Sequence, residues 1–197
     1  MGGATILLFS DVHCASGLIR RLAGAVSYDI AMCAGDFECV DVVEEFLSLD
    51  GDLVAVTGNL DNASIYRRLS EAGVLADGRV VRVGRFVVAG VGGLDVATSL
   101  RMLGSRVSRD VDVLLSHHPP KGILDLTVVG VRAGLPEIRR LVEGLEPLVH
   151  AFGHIHESPG VEVLGRTTLV NPGPLMQGRY AILRISSSGV EAELARL

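Results

Sequence analysis

The 197-residue chain has no tryptophan, only 4% aromatic residues, and one lysine, Lys121, among its 18 cations. It also lacks a basic excess, since 23 acidic residues leave a net charge of −5. A surface that stacks bases on aromatic rings beside cations is hard to build from this inventory, so nucleic acid is not expected as a partner, and neither is an anionic membrane surface. No stretch approaches the roughly 18 apolar residues of a membrane span. The early apolar run Ile6–Phe9 has no cationic flank and reads as a strand, not a signal peptide. The three cysteines, Cys14, Cys33 and Cys39, are odd in number and lack CxxC spacing. They favour reduced thiols in a cytoplasmic compartment over a disulfide framework, with Cys33 as a small core residue. The length fits one domain over residues 1–197 whose core needs no covalent staple.

What the chain does have is alternation. Ala4–Phe9, Asp29–Cys33 and Leu53–Thr57 are apolar runs that read as buried strands. Helical patterns separate them: one opens at Ser16-Gly17, one covers Asp41–Leu49, and one follows Asn62 as its cap. Such βαβ units predict a parallel sheet with its strand C-termini on one edge, where open α/β sheets bind ligands. The second half predicts a hairpin (Val80–Val83 and Phe86–Val91 around Gly84-Arg85), a helix over Asp95–Val107 and a strand at Val111–Leu115. A helix over Leu135–Leu145 with Pro136 in its first turn and a strand at Pro147–Phe152 follow. The tail, Val161–Val170 and Tyr180–Leu194, reads as antiparallel strands around Asn171-Pro172-Gly173-Pro174. The expected fold class is α/β: two facing mixed sheets with helices outside.

Five strand ends carry chemistry: Asp11-x-His13, Gly35-Asp36, Gly58-Asn59, His117, and Gly153-His154-x-His156. In extended chain, residues i and i+2 share a side, so each Asp-x-His or His-x-His pair is expected to face one centre. Carboxylate, carboxamide and imidazole suit Mn, Fe, Zn, Co or Ni. Any one of these residues alone is commonly a turn residue or a hydrogen-bonded side chain. Their joint order points to a metal site, and seven donors exceed what one ion takes, which implies two ions.

The series D-x-H, G-D, G-N, H and G-H-x-H, running from Asp11 to His156, resembles the signature of the calcineurin-like metallophosphoesterase superfamily, in its small single-domain prokaryotic branch. The resemblance implies a four-layer α-β-β-α sandwich. It also implies a dinuclear centre, manganese first among the candidates, that hydrolyses a phosphate ester through a metal-bound hydroxide. Asp11, His13, Asp36 and His156 would hold one metal; Asp36, Asn59, His117 and His154 would hold the other, with Asp36 bridging. Two divalent ions against two carboxylates and a hydroxide leave such a site net positive, and neutral Asn59 preserves that balance for an anionic substrate. The implied partner is a small phosphate-ester substrate, with a phosphodiesterase expected in particular; a homo-oligomer is compatible with this reading.

One position departs from the pattern. Many members place a leaving-group-assisting His after the Asn, whereas this chain has Leu60, which cannot donate a proton. The following Asp61 matches the family's acidic residue and is expected either to orient a ligand His or to cap the next helix. His118 is a candidate substitute donor, although strand alternation and Pro119 turn it away from the side of His117. Cys14 is expected to face away from His13 by the same alternation. His150 reads as a core residue, and Lys121 and Arg132 as loop cations able to rim a phosphate site. The competing function is a non-catalytic or weakly active scaffold on the same metal-binding fold, as in the small retromer subunit.

Overall fold

The computed structural model describes residues 3–104, 107–108 and 110–197. The first half is the expected alternation: β1 (Ala4–Phe9), α1 (Leu18–Ala25), β2 (Ile30–Cys33), α2 (Val40–Leu47), β3 (Asp52–Ala55) and α3 (Ala63–Glu71). Asn62 caps α3, accepting from the backbone N–H groups of Ser64 and Ile65. The second half contains β4 (Val80–Val83), β5 (Phe86–Val91), α4 (Val96–Leu103), β6 (Val113–Ser116), α5 (Pro136–Leu145) and β7 (Val149–Ala151). The strands β8 (Gly160–Leu164), β9 (Thr167–Asn171), β10 (Arg179–Ser186) and β11 (Gly189–Arg196) complete it, with a 3-10 turn at Leu175–Gln177. Pro136 opens α5, where its missing N–H costs no helical bond. The helix expected to reach Val107 ends at Leu103; residues 105 and 106 lie outside the described set.

The strands form two mixed sheets, ordered β11-β10-β1-β2-β3 and β4-β5-β6-β7-β9-β8. The β1-β2-β3 and β5-β6-β7-β9 runs are parallel. The tail divides between the sheets: β9 joins β7, while β10 returns antiparallel to β1. Strand alternation sets the layers. Ile6 and Leu8 of β1 face a core shared with Val88, Val113, Leu115 and Val149 of the second sheet. Leu7 and Phe9 face outward onto Ile19, Val43, Phe46 and Ile65 of the first three helices. On the other outer face, Ala89 and Leu114 pack with Leu103 of α4 and with Ile138 and Val142 of α5. The result is the expected order of helices, sheet, sheet, helices.

The cysteines require a correction. Cys14 and Cys39 are joined in a disulfide, with Cα atoms 5.1 Å apart, and only Cys33 is a free, buried thiol. Short Cys spacing in sequence carries no information about this pair. The two residues meet because β1 and β2 are parallel neighbours and the loops leaving their C-terminal ends run side by side.

Candidate metal centre

The C-terminal ends of β1, β2, β3, β6 and β7 lie along one edge, and the loops leaving them bring the sequence-derived residues together. Two clusters form, Asp11 with His13 and His156, and Asp36 with His117 and His154; within each, the potential ligand atoms lie within 4.8 Å of one another. Asn59 joins the second, its Oδ1 2.8 Å from His117 Nε2.

The local conformation differs from the extended chain that the i, i+2 reading assumes. Asp11 (φ 55°), His13 (φ 48°), Cys14 (φ 58°), Asp36 (φ 58°), Glu38 (φ 61°) and His154 (φ 70°) all occupy the left-handed region, where non-glycine residues cost on the order of 1 kcal/mol or more each. The pairs converge because the strands end before the site and two tight loops turn the side chains inward. Cys14 is turned to Cys39 by the same loop, so alternation does not describe it either. Backbone N–H groups of Val12 and His13 both donate to the Asp36 carbonyl, stitching the first loop to the second. Glycine makes this packing possible: a Cβ on Gly58 would overlap the Asp36 carboxylate, and one on Gly153 would overlap Ser10 and crowd Asp11.

For two of the imidazoles, a partner on Nδ1 shows which atom the ring offers. His117 is fully buried, and its Nδ1 lies 2.8 Å from the Ala34 carbonyl, an acceptor only. Nδ1 therefore donates, and Nε2 directs a lone pair at Asn59 Oδ1 and at Asp36 Oδ2, 3.4 Å away. His13 Nδ1 lies 2.9 Å from Glu38 Oε1, which leaves its Nε2 facing His156 Nε2 at 3.2 Å. His156 Nε2 is in turn 3.2 Å from Asp11 Oδ1. Imidazole nitrogens and carboxylate or carboxamide oxygens thus converge on each centre, a set of ligand atoms that fits divalent cations with oxygen and nitrogen preference.

The carboxylates differ in setting. Burial pushes Asp11 up, but the hydrogen bond with His156, together with the neighbouring His117 and Ser10, outweighs it and holds the carboxyl below its ordinary range. Asp36 is pushed up by burial, against the pull of His117 and the Leu60 N–H, with Asp11 adding to the rise. The hydrogen bond to Asp11 raises His156. Burial, aided by His117, lowers His154 to about 4. Asp11 also accepts from the His154 backbone N–H, tying the two clusters together.

The remaining candidates separate. Asn62, not Asp61, caps α3, and among the described residues the buried Asp61 carboxylate bonds no ligand His: it accepts from Gly58 N at 2.8 Å and Glu38 N at 2.7 Å, fastening two site loops. The His118 ring lies 4.4 Å from His154, its Nδ1 buried without a hydrogen bond, and burial lowers it to about 3. His150 is a core residue whose Nε2 meets Ser116 Oγ at 2.8 Å. Lys121 and Arg132 are tied to their own loop, through the Arg132 carbonyl and through Asp125 and the Gly122 carbonyl. Leu60 gives its backbone N–H to Asp36 while its side chain is 54% exposed. Asn171 holds the loop around His156 by donating to the Ile155 and Ser158 carbonyls. Glu38 was not identified from sequence; the available signal was an acid two residues beyond Asp36, in the loop that runs beside the one carrying His13.

Residues 5–188 match the calcineurin-like phosphoesterase superfamily domain. A UPF0046 protein of Caenorhabditis elegans is 39% identical over 72 residues, 36% of this chain and 24% of that protein. Human metallophosphoesterase domain-containing protein 1 is 42% identical over 67 residues, 33% of this chain and 21% of that protein. The chain therefore spans under a quarter of these relatives' length. An uncharacterized protein of Methanocaldococcus jannaschii is 25% identical over 170 residues, 74% of this chain and 78% of that one. Among solved structures, TT1561 of Thermus thermophilus superposes with a TM-score of 0.72 at 20% identity, covering 98% of this chain and 99% of that one. An archaeal phosphodiesterase gives 0.65 at 17% identity with the same coverage. Vacuolar protein sorting 29 of Cryptosporidium parvum gives 0.57 at 15%, covering 99% and 98%. These three likenesses establish the shared fold, and the match over residues 5–188 establishes the family: this chain belongs to the calcineurin-like phosphoesterase superfamily.

Proposed function

We propose that residues 1–197 act as one unit, a metal-dependent phosphoesterase that hydrolyses a small phosphate ester, a phosphodiester by preference. Asp11, His13, Asp36 and His156 would hold one divalent cation, and Asp36, Asn59, His117 and His154 a second. The observation that carries this reading is the convergence of imidazole nitrogens and carboxylate oxygens on two adjoining centres. Divalent ions bound there supply Lewis acidity and a water acidified toward neutrality. Manganese is the first candidate, with iron, zinc, nickel and cobalt compatible with the same donors.

The chain's own residues set the rest. The Ala34 carbonyl holds the His117 proton on Nδ1, and Glu38 does the same for His13. Asn59 adds an oxygen donor without charge, so the site keeps a positive balance for a phosphate anion. The Leu60 N–H steadies Asp36, but its side chain has no proton for the leaving group. A leaving group that departs unaided is therefore favoured, as in aryl or otherwise activated esters. His118, neutral near pH 7, can donate a hydrogen bond but not serve as an imidazolium acid. Among the described residues no helix is long and apolar enough to cross a membrane. A cytoplasmic location is part of the proposal; cytosolic disulfides are known in redox-sensing proteins and hyperthermophiles.

The second reading, a scaffold on this fold, draws on Leu60 and on the likeness to vacuolar protein sorting 29. The intact donor set supports the enzyme. Hydrolysis of bis(p-nitrophenyl) phosphate with added Mn²⁺, abolished by EDTA and restored by metal, is the expected result. No rate above buffer with any of the five metals would favour the scaffold.

A further inference from the structure

We propose that Glu38 is a positioning residue for His13 and that the Cys14–Cys39 disulfide holds it in place, so that the Asp11–His13–His156 cluster binds a divalent cation tightly only while that disulfide is intact. The proposal rests on the two-cation reading above.

Glu38 Oε1 lies 2.9 Å from His13 Nδ1. A carboxylate only accepts, so the contact fixes the proton on Nδ1 and aims the Nε2 lone pair into the cluster. The disulfide joins the two residues that directly follow this pair, Cys14 after His13 and Cys39 after Glu38. The cross-link therefore sits one residue from each partner. The loops it joins need such a constraint, because His13, Cys14 and Glu38 all hold left-handed backbone that persists only where surroundings over-determine it. The non-covalent ties include Asp11 N to the Gly35 carbonyl at 2.9 Å, Val12 N and His13 N to the Asp36 carbonyl, Cys14 N to the Phe37 carbonyl at 3.1 Å, and Glu38 N to Asp61. The second cluster does not depend on this clamp. His117 is fixed by a backbone carbonyl, Asp36 by the Leu60 N–H, and Phe37, between Asp36 and Glu38, is fully buried.

Both cysteines are half-buried, within reach of a small reductant. Reduction by a dithiol breaks the S–S bond and forms two S–H groups; the disulfide takes up two electrons and two protons, and the dithiol is oxidised to its own disulfide. The loops carrying His13 and Glu38 then lose their covalent tie, and loss of such support weakens metal binding by about 10–100-fold.

Manganese binding by calorimetry tests this, on oxidised protein and on protein reduced with dithiothreitol that is then removed under argon. The expected result is two sites when oxidised, with one weakened about 10–100-fold on reduction and the other unchanged. The Cys14→Ser/Cys39→Ser variant should show the weakened site with or without reductant. Glu38→Ala should show it too, while Glu38→Gln, which keeps an acceptor oxygen, should restore most of the affinity. Imidazole ¹⁵N spectra of the metal-free protein give a readout that mere destabilisation would not move: the Nδ1–H tautomer of His13 in wild type and Glu38→Gln, lost in Glu38→Ala. Two sites indifferent to reduction, with thiol titration confirming three free thiols, and a tautomer indifferent to Glu38→Ala would overturn the clamp alone. Oxidised protein that binds no manganese would overturn the two-cation reading with it.

Discussion

The two halves of the site are built differently. The Asp36–His117–His154 half is anchored by the protein interior: His117 is fully buried and its proton is held by a main-chain carbonyl. The Asp11–His13–His156 half is more open. The side chains of His13 and His156 are 14% and 29% exposed, and the His13 proton is held by a side-chain carboxylate that is itself 30% exposed. A backbone carbonyl cannot leave without unfolding a strand end, whereas a glutamate on a left-handed loop stays only while the loop does. The comparison teaches that one half inherits its geometry from the fold and the other depends on local fastenings.

Changing the residue proposed to be shared should break the comparison outright. Asp36→Asn is expected to empty both halves and reduce diester hydrolysis by more than about 100-fold, beyond the range for loss of a supporting partner; metal analysis beside the rate assay checks both. A local fastening comes next. Glu45 of α2 accepts from the Gly17 N–H at 2.8 Å, from Ser16 Oγ and from Arg20, pinning the segment that follows Cys14. Burial raises this carboxyl, but the Gly17 N–H, Arg20 and Ser16 together lower it below its ordinary value. Its stabilisation is therefore present above the ordinary glutamate pKa and lost as pH falls through its lowered folded value. Glu45→Ala should cost about 2 kcal/mol in urea unfolding at pH 7, with the deficit shrinking in acid.

A subtler change addresses charge. Asn59→Asp adds a carboxylate to the anchored half and should lower turnover by roughly 10-fold with two ions still bound, because the site loses attraction for the phosphate anion. Unchanged turnover at full occupancy would count against that electrostatic role. The smallest expected effect contrasts carboxylates. Asp11 faces an imidazole and is lowered; Asp77, buried and bonded to the Thr57 N–H and hydroxyl, is raised by burial to about 6. A raised folded pKa means the native state binds the extra proton, so Asp77 should make the protein more stable as pH falls through 6. Between pH 7 and 5 the gain is roughly 1 kcal/mol, absent in Asp77→Asn.

Much of this was legible in the sequence, for physical reasons that differ by element. The buried strands announce themselves because residues covered on both faces must be apolar throughout, as in Ile6–Phe9 and Ile30–Cys33. The site residues stand out because each ends such a run, and parallel topology puts those ends on one edge. The route by which Asp11 and His13 converge was not legible: alternation applies inside a strand, and both residues lie past its end with positive φ. Nor was the Cys14–Cys39 bond, which depends on two loops meeting across parallel neighbours. Asp61 illustrates the same limit, since its position beside Asn59 fits an orienting or capping role, whereas its partners, Gly58 N and Glu38 N, come from folding two loops together.

The central claim is that two cations share this site across Asp36. Anomalous scattering at the manganese edge from crystals grown with Mn²⁺ tests it directly. The account predicts two peaks roughly 3.5–4 Å apart, one beside Asp11, His13 and His156, the other beside Asn59, His117 and His154, with the Asp36 carboxylate between them. A single peak, or none at these residues, would contradict it.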